Sequence, residues 1–463
     1  MKSQFKIKKM SNGPFAIAFD STDKVVFVEN ACPGDEVVAE IYDDRKDFSY
    51  ANLLEVLSPS QFRNPEPLCK IHKICGSCQW QHINYADQLK FKKQNLIELI
   101  KSSKINTSLL SSDSDLAIDD FWGMDDPWYF RNKITYPVRT VKNTGRLQAG
   151  YFKRNSNELI NVKFCPIQYN VFDDIMERAK ELCSLEAVTD EVLRHILIRS
   201  NVDYSQILLC FIVRKEKFIR AQKHAITRVL EQLGQEFKQI KTISLNFNDG
   251  STNVILGDET EIIKGSGSIL ESFGDLKLQI STNSFFQVNT KQFLKIIDLI
   301  KKHISLNPLP KSVLDLYCGI GTISLSLAKV MPDLRVIGVE EVSSAIENAQ
   351  INAQINSINH AEFIHATAED FLARSDQDAE YDYVIVNPPR KGCTNSVLQA
   401  IASNQVKSLI YVSCNAATLM RDIKILEKYG YALSYIQGID MFPHSFHFET
   451  LAIINLLEHK PLG

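Results

Sequence analysis

From about residue 285 the chain alternates short β-branched runs with stretches of helical periodicity, and this rhythm constrains the fold more than any other feature. Strands linked through helices run parallel, with the helices covering the sheet. Val313-Leu314-Asp315-Leu316-Tyr317 reads as one such buried strand. It runs into Cys318-Gly319-Ile320-Gly321-Thr322, followed by a helical stretch through Leu325, Leu327 and Ala328. A Gly-x-Gly turn between strand and helix lets a cofactor come close to the backbone. A dinucleotide fingerprint would want a third glycine at position 324, and the serine there tilts against NAD. The next strand, Arg335 to Val339, ends in Glu340, where a carboxylate could accept hydrogen bonds from both hydroxyls of an adenosine ribose.

The rest of the chain bounds the function. Its 463 residues, 44% of them hydrophobic, suffice for two to four domains. The longest apolar run, Ile207 to Val213, falls far short of the roughly 18–20 residues of a membrane span. The basic start, MKSQFKIKKM, leads into no apolar signal segment. A soluble, unexported, cytoplasmic protein is expected, with no membrane or protein partner, acting as a monomer. Ten cysteines are too sparse for a disulfide scaffold.

A net charge of −3 argues on its face against nucleic acid, but it is an average. Gln61 to Leu110 carries eight basic against three acidic residues; Trp128 to Cys165 carries eight against one, interleaved with aromatics. Between them residues 111–127 hold six acids and no base, and residues 366–386 hold six acids against one arginine. Basic residues mixed with aromatics permit phosphate contact and base stacking. Three segments emerge. Residues 1–60 show alternating short strands around the Cys32-Pro33-Gly34-Asp35 turn, as in a small OB-like β-barrel. Residues 61–283 form a mixed α+β central domain, with a helix from Tyr85 to Lys101 (Leu89, Leu96, Ile97, Ile100) and another over 171–184. Residues 284–463 form the α/β domain.

Asp315, the Gly319–Gly321 loop and Glu340 resemble the class I S-adenosylmethionine-dependent methyltransferases, with a Rossmann-like fold over roughly 285–463. Two later strands end in Asn387-Pro388-Pro389-Arg390 and in Ser413-Cys414-Asn415, and ligands bind beyond such strand ends. A third element, Phe442 to Thr450, precedes the last strand. Amines and hydroxyls accept a methyl group unaided, whereas C5 of a pyrimidine is a poor nucleophile. A thiolate adding to C6 makes C5 nucleophilic, and a base must then remove the C5 proton. Cys414 and Glu449 supply that pair. In amino-directed enzymes an aromatic follows Asn-Pro-Pro, and here Arg390 follows. Cytosine-C5 RNA enzymes tend to carry cysteine there, so uracil is the better acceptor.

The ordered motifs SFFQVN (284–289), DLYCGIGT (315–322), NPPRKG (387–392), YVSCN with TLMRD (411–422) and FPHSFHFET (442–450) resemble the RNA uracil-C5 methyltransferase family. The resemblance implies Cys414 as nucleophile and Glu449 as base. It implies Gln287, Tyr317, Glu340 and Asn387 around S-adenosylmethionine and the target, with Thr322 and Thr367 as further cofactor contacts and Phe285 stacking on the uracil. The family usually has aspartate where Asn387 stands; an amide oxygen can still accept from uracil N3–H, without the charge. His444 and His447 read as structural histidines.

Cys69, Cys75 and Cys78 lie in a Pro-flanked stretch, and Cys165-Pro166 follows far downstream. Four such thiolates could bind tetrahedral zinc or an iron–sulfur cluster. PLCKIHKICGSCQWQH, RNKITYPV and SNELINVKFCPI resemble the rRNA-modifying branch of the family, which implies a structural [4Fe-4S] cluster on these four cysteines. That branch also implies a TRAM barrel at the N-terminus and a uracil of 23S rRNA as substrate. A tRNA uracil, or an RNA-binding assembly factor that has lost catalysis, are the alternatives.

Overall fold

The computed structural model describes residues 2–110, 120–250, 254–305, 310–374 and 381–457. Most of the acidic run 111–127, and part of that at 366–386, lies outside them. Packing groups the chain into two compact units. The first comprises Met1–Pro127, Pro388–Ala402 and Ser408–Gly463; the second comprises Trp128–Asn387 and Ser403–Lys407.

In the first unit, six strands form one sheet in the order Lys2–Lys6, Glu36–Asp44, Phe48–Ser58, Val25–Glu29, Ala16–Phe19, Lys9–Met10. Successive side chains of a strand face opposite ways, so Val26, Val28, Val37, Ala39 and Ala51 fill the core while Phe27 and Tyr50 stack outside it. The Cys32–Asp35 turn closes as its Pro-Gly pair suggests, with Gly34 at φ +87°. Its buried Asp35 carboxylate accepts from the amides of Cys32 (2.7 Å) and Ser60 (2.8 Å) and pairs with Arg63, tying the barrel to the segment that follows it. Trp80 and Ile83 complete the barrel core.

The helix Tyr85–Ser103, hereafter the clamp helix, departs from its sequence reading. Leu96 and Ile100 are buried as expected, but Gln88, Lys92 and Asn95 are buried on the same helix while Leu89 and Ile97 are only half-buried. The unit is completed by the antiparallel strands Ser408–Ser413, Glu449–Leu456 and Tyr431–Ile439, with Glu449–Leu456 in the middle, and by the helix Ala416–Leu426.

The second unit holds a seven-stranded sheet running from Glu259–Lys264 through Ile207–Val213 and Lys133–Thr140 to Leu159–Asn161. Ile207–Val213 is buried along its whole length, which explains its unbroken apolar run. The same unit carries four parallel strands in the order Ala361–His365, Arg335–Glu340, Ser312–Leu316, Tyr383–Val386. The helices Thr322–Val330 and Ser343–Ile355 cross between them. This is the α/β, Rossmann-like arrangement expected from the sequence.

Candidate active site

The parallel strands of the second unit build a cofactor cradle. Tyr317, Gly319 and Gly321 all have positive φ (62°, 57° and 80°), which forces the chain into a sharp turn at the end of Ser312–Leu316. A Cβ at Gly319 would meet nothing within 4 Å, leaving open space where a ligand can reach the backbone. At Gly321 a Cβ would strike the Phe363 ring at 2.8 Å, so only glycine fits. Glu340 ends the neighbouring strand, and its carboxylate accepts from the amides of Gly319 (3.1 Å) and Val342 (3.0 Å), fixing it at the mouth of the loop. Asp315 lies fully buried beneath; burial pushes its carboxyl up to about 7, against hydrogen bonds from the Ser324 hydroxyl and amide. Its Oδ1 has no partner among the described residues. An open glycine, a fixed carboxylate and an unmet acceptor suit a nucleoside-bearing cofactor.

The other expected cofactor residues fall in the same unit with mixed credentials. Thr322 opens the helix after the loop and is buried. Gln287 is buried, its carbonyl accepting from Asn132. Asn387 follows the strand Tyr383–Val386 and is half-buried. Thr367 has a local task, its hydroxyl accepting from the Asp370 amide at the start of a short helix. Phe285 is 67% exposed, free to stack on a base.

Cys414 and Glu449 come together in the first unit through strand register. Ser413 pairs with Thr450 across antiparallel strands, so the residue after the first and the residue before the second share one end of the ladder. Glu449 is fully buried, and burial pushes its carboxyl up to about 8, with Arg390 pulling the other way. Burial and then Glu449 raise the Cys414 thiol, while the Arg390 guanidinium lowers it. Arg390 therefore faces both acids, a role its place after Asn-Pro-Pro did not reveal. Asn415 and Thr418 hold the Arg390 carbonyl (3.2 and 3.3 Å), at the start of the helix Ala416–Leu426, the nucleophile helix. The TLMRD motif explains the rest: Asp422 accepts from the Cys393 amide (2.9 Å) and the Tyr411 hydroxyl (2.7 Å), and Arg421 bonds the Lys391 and Cys393 carbonyls. A small cavity of about 90 Å³ opens at Cys414, with Leu99 and His447 in its wall.

The loop leading to Glu449 is held by the clamp helix. Lys92, with no exposed surface, donates to Asp440 Oδ1 (2.6 Å) and to the carbonyls of His447 (3.0 Å) and Phe442 (3.3 Å). One turn earlier, Gln88 exchanges hydrogen bonds with His444: its Oε1 accepts from the His444 amide at 3.0 Å and its Nε2 lies 3.3 Å from the ring Nδ1. Burial depresses His444 to about 3 and His447 to about 4, so both stay neutral. His444 serves this clamp, in line with its structural reading.

Cys69, Cys75 and Cys78 are buried in the first unit and Cys165 is buried in the second. Burial raises the Cys69 thiol; amide hydrogen bonds from Ile71 and His72 lower it, and neighbouring Cys75 raises it. Among the described residues no three His, Cys, Asp or Glu side chains converge to hold a metal ion. Tetrahedral zinc would need sulfurs about 3.8 Å apart, from its Zn–S bonds of about 2.3 Å.

The family profile described as tRNA (Uracil-5-)-methyltransferase matches residues 151–456. An uncharacterized RNA methyltransferase of Clostridium acetobutylicum is 36% identical over 441 residues, covering 94% of this chain and 92% of its own. One from Thermosynechococcus vestitus is 34% identical, covering 93% of each chain. Among solved structures, the Pyrococcus abyssi tRNA (uracil-54, C5)-methyltransferase in complex with S-adenosyl-L-homocysteine shares the fold. Its TM-score is 0.74 at 23% identity, over 97% of this chain and 99% of that one.

Two outcomes follow from the buried charges. A Glu449 carboxyl raised from 4.5 to about 8 stabilises the fold below pH 4.5, and that stability is lost as pH rises towards 8. Glu449→Gln, neutral at every pH, should therefore show a Tm advantage over the parent that widens from pH 5 to pH 8 in thermal melts; a constant offset would contradict this. Lys92→Met leaves Asp440 buried without its cation and should cost about 3–5 kcal/mol in urea unfolding, part of it restored in Lys92→Met/Asp440→Leu.

Proposed function

The chain belongs to the tRNA (uracil-5-)-methyltransferase family and is an S-adenosylmethionine-dependent RNA methyltransferase, and we propose that it methylates C5 of a uridine through Cys414 and Glu449. The observation that carries this reading is the pair itself: a thiol and a fully buried carboxyl at one ladder end, facing one guanidinium. The Cys414 thiolate adds to C6, and the electron pair of the 5,6 double bond moves into an enolate. C5 of the enolate takes the methyl group as the sulfonium C–S bond breaks, releasing S-adenosylhomocysteine. Glu449 then removes the C5 proton, the 5,6 double bond re-forms and the C6–S bond breaks, returning the thiolate.

Arg390 is the cation shared by both acids in these steps. One cation beside two acids favours a single negative charge at a time. Once the thiolate is consumed in the adduct, the charge can rest on Glu449, whose raised proton affinity suits it to removing the C5 proton. Gln287, Tyr317, Thr322, Glu340 and Thr367 would line the cofactor, Asn387 would accept from uracil N3–H, and Phe285 would stack on the base.

The substrate proposed first is 23S rRNA. It rests on the four cysteines, with Cys69, Cys75, Cys78 and Cys165 as ligands of a structural [4Fe-4S] cluster, and on a TRAM-like barrel over 1–60. A tRNA uridine is the other substrate to test.

RNA carrying 5-fluorouridine at the target cannot lose its C5 substituent as a proton. Incubated with S-adenosylmethionine and rRNA or tRNA fragments so substituted, the protein should form a denaturation-stable adduct that Cys414→Ala abolishes. No adduct on any fragment would overturn the mechanism. Anaerobically purified protein should show broad visible absorption with bound iron and sulfide, lost in Cys75→Ser; a colourless protein free of iron would rule the cluster out.

A further inference from the structure

We propose that the groove between the clamp helix and the nucleophile helix receives single-stranded RNA flanking the target uridine, a proposal that rests on the uracil-methylating reading above. The cavity at Cys414 and this larger groove, about 430 Å³, share Leu99 and Ala417. The two openings therefore lie side by side, the groove next to the nucleophile. The volume lies within the roughly 300–1,000 Å³ of small-molecule sites, enough for a nucleotide.

The lining suits a polynucleotide. Leu99 and Ile425, backed by buried Met420, offer an apolar surface on which any base can lie, while Arg421, Lys424 and Lys428 supply three cations, and among the described residues no carboxylate lines the groove. Two of the cations are braced. Arg421 is held by Asp422 and the Lys391 carbonyl (2.8 Å), and Lys424 by Glu427 (2.7 Å) and the Lys104 carbonyl (2.6 Å). Bracing lowers the entropy lost on gripping a phosphate, although each brace also brings a counter-charge. Lys428 is exposed and makes no ion pair among the described residues, so its charge is available in full. The barrel is a poorer phosphate surface, since residues 1–58 hold seven basic against ten acidic side chains.

The test uses the full-length protein and a fluorescein-labelled single-stranded oligouridine, read by anisotropy across a salt series. Lys424→Glu/Lys428→Glu should weaken binding by about tenfold at low salt, and flatten the slope of log K against log salt by about 0.7 for each phosphate that is no longer neutralised. Lys428→Gln, at an exposed position that folding does not need, should shift both in the same direction by less. S-adenosylhomocysteine binding should be unchanged in all. Parental affinity and slope in the charge-reversed proteins would overturn the groove. A version of the RNA with one 5-fluorouridine separates the two readings. Binding that depends on the lysines without any adduct leaves the groove standing and the methylation reading fallen. Adduct formation at parental affinity in the double variant does the reverse.

Discussion

One buried ion pair carries the first unit's chemistry. Lys92 and Asp440 are both wholly out of water, and such a pair returns its desolvation cost only when the remaining hydrogen-bonding positions are filled. On the lysine side they are filled by the backbone that must be held: a single ammonium gathers the carbonyls of Phe442 and His447 beside the Asp440 carboxylate. Trp80 lies against the same ammonium, and its amide donates to the His444 carbonyl, so the barrel core and the loop before Glu449 meet at one nitrogen. The cost of burying Lys92 is the means by which a loop with no regular structure acquires a fixed course.

The acid–base chemistry is a second product of the same burial. Glu449 is a strong base because the clamped loop and its strand leave it no solvent, and the Arg390 cation offsets that only in part. A more exposed carboxylate would sit near its ordinary value and accept a carbon-bound proton less readily. Arg390 keeps the opposing thiol from rising as far as burial alone would drive it. Stability and reactivity at this end of the strand ladder are therefore opposed, as the destabilising ionisation of Glu449 makes plain.

Much of this was legible in the chain. The parallel strands, the Gly319–Gly321 turn, Glu340 at a strand end, the alternating barrel and the pairing of Cys414 with Glu449 follow from periodicity and from what carbon methylation demands. Arg390 was visible as part of a motif but not as the cation shared by two acids, because that sharing is created by tertiary packing. The clamp helix misled for a physical reason. Periodicity counts apolar residues, so a helix face buried through Gln88, Lys92 and Asn95 reads as solvated; the partners of Gln88 and Lys92 lie some 350 positions along the chain. The cysteine spacing points to a set of metal ligands, but spacing in sequence sets no sulfur–sulfur distance.

The pairing of Ser413 with Thr450 sets how the catalytic separation can vary. Side-chain direction in a strand has period two, so a register slip by one residue would turn Glu449 away from the site and bring a neighbour in its place. The distance between nucleophile and base is thus quantised: it is inherited whole from the ladder or lost, with no intermediate settings. Lengthening the turn around Gly430, which joins the nucleophile helix to the next strand, leaves that separation untouched, while one residue added inside Glu449–Leu456 is a different protein.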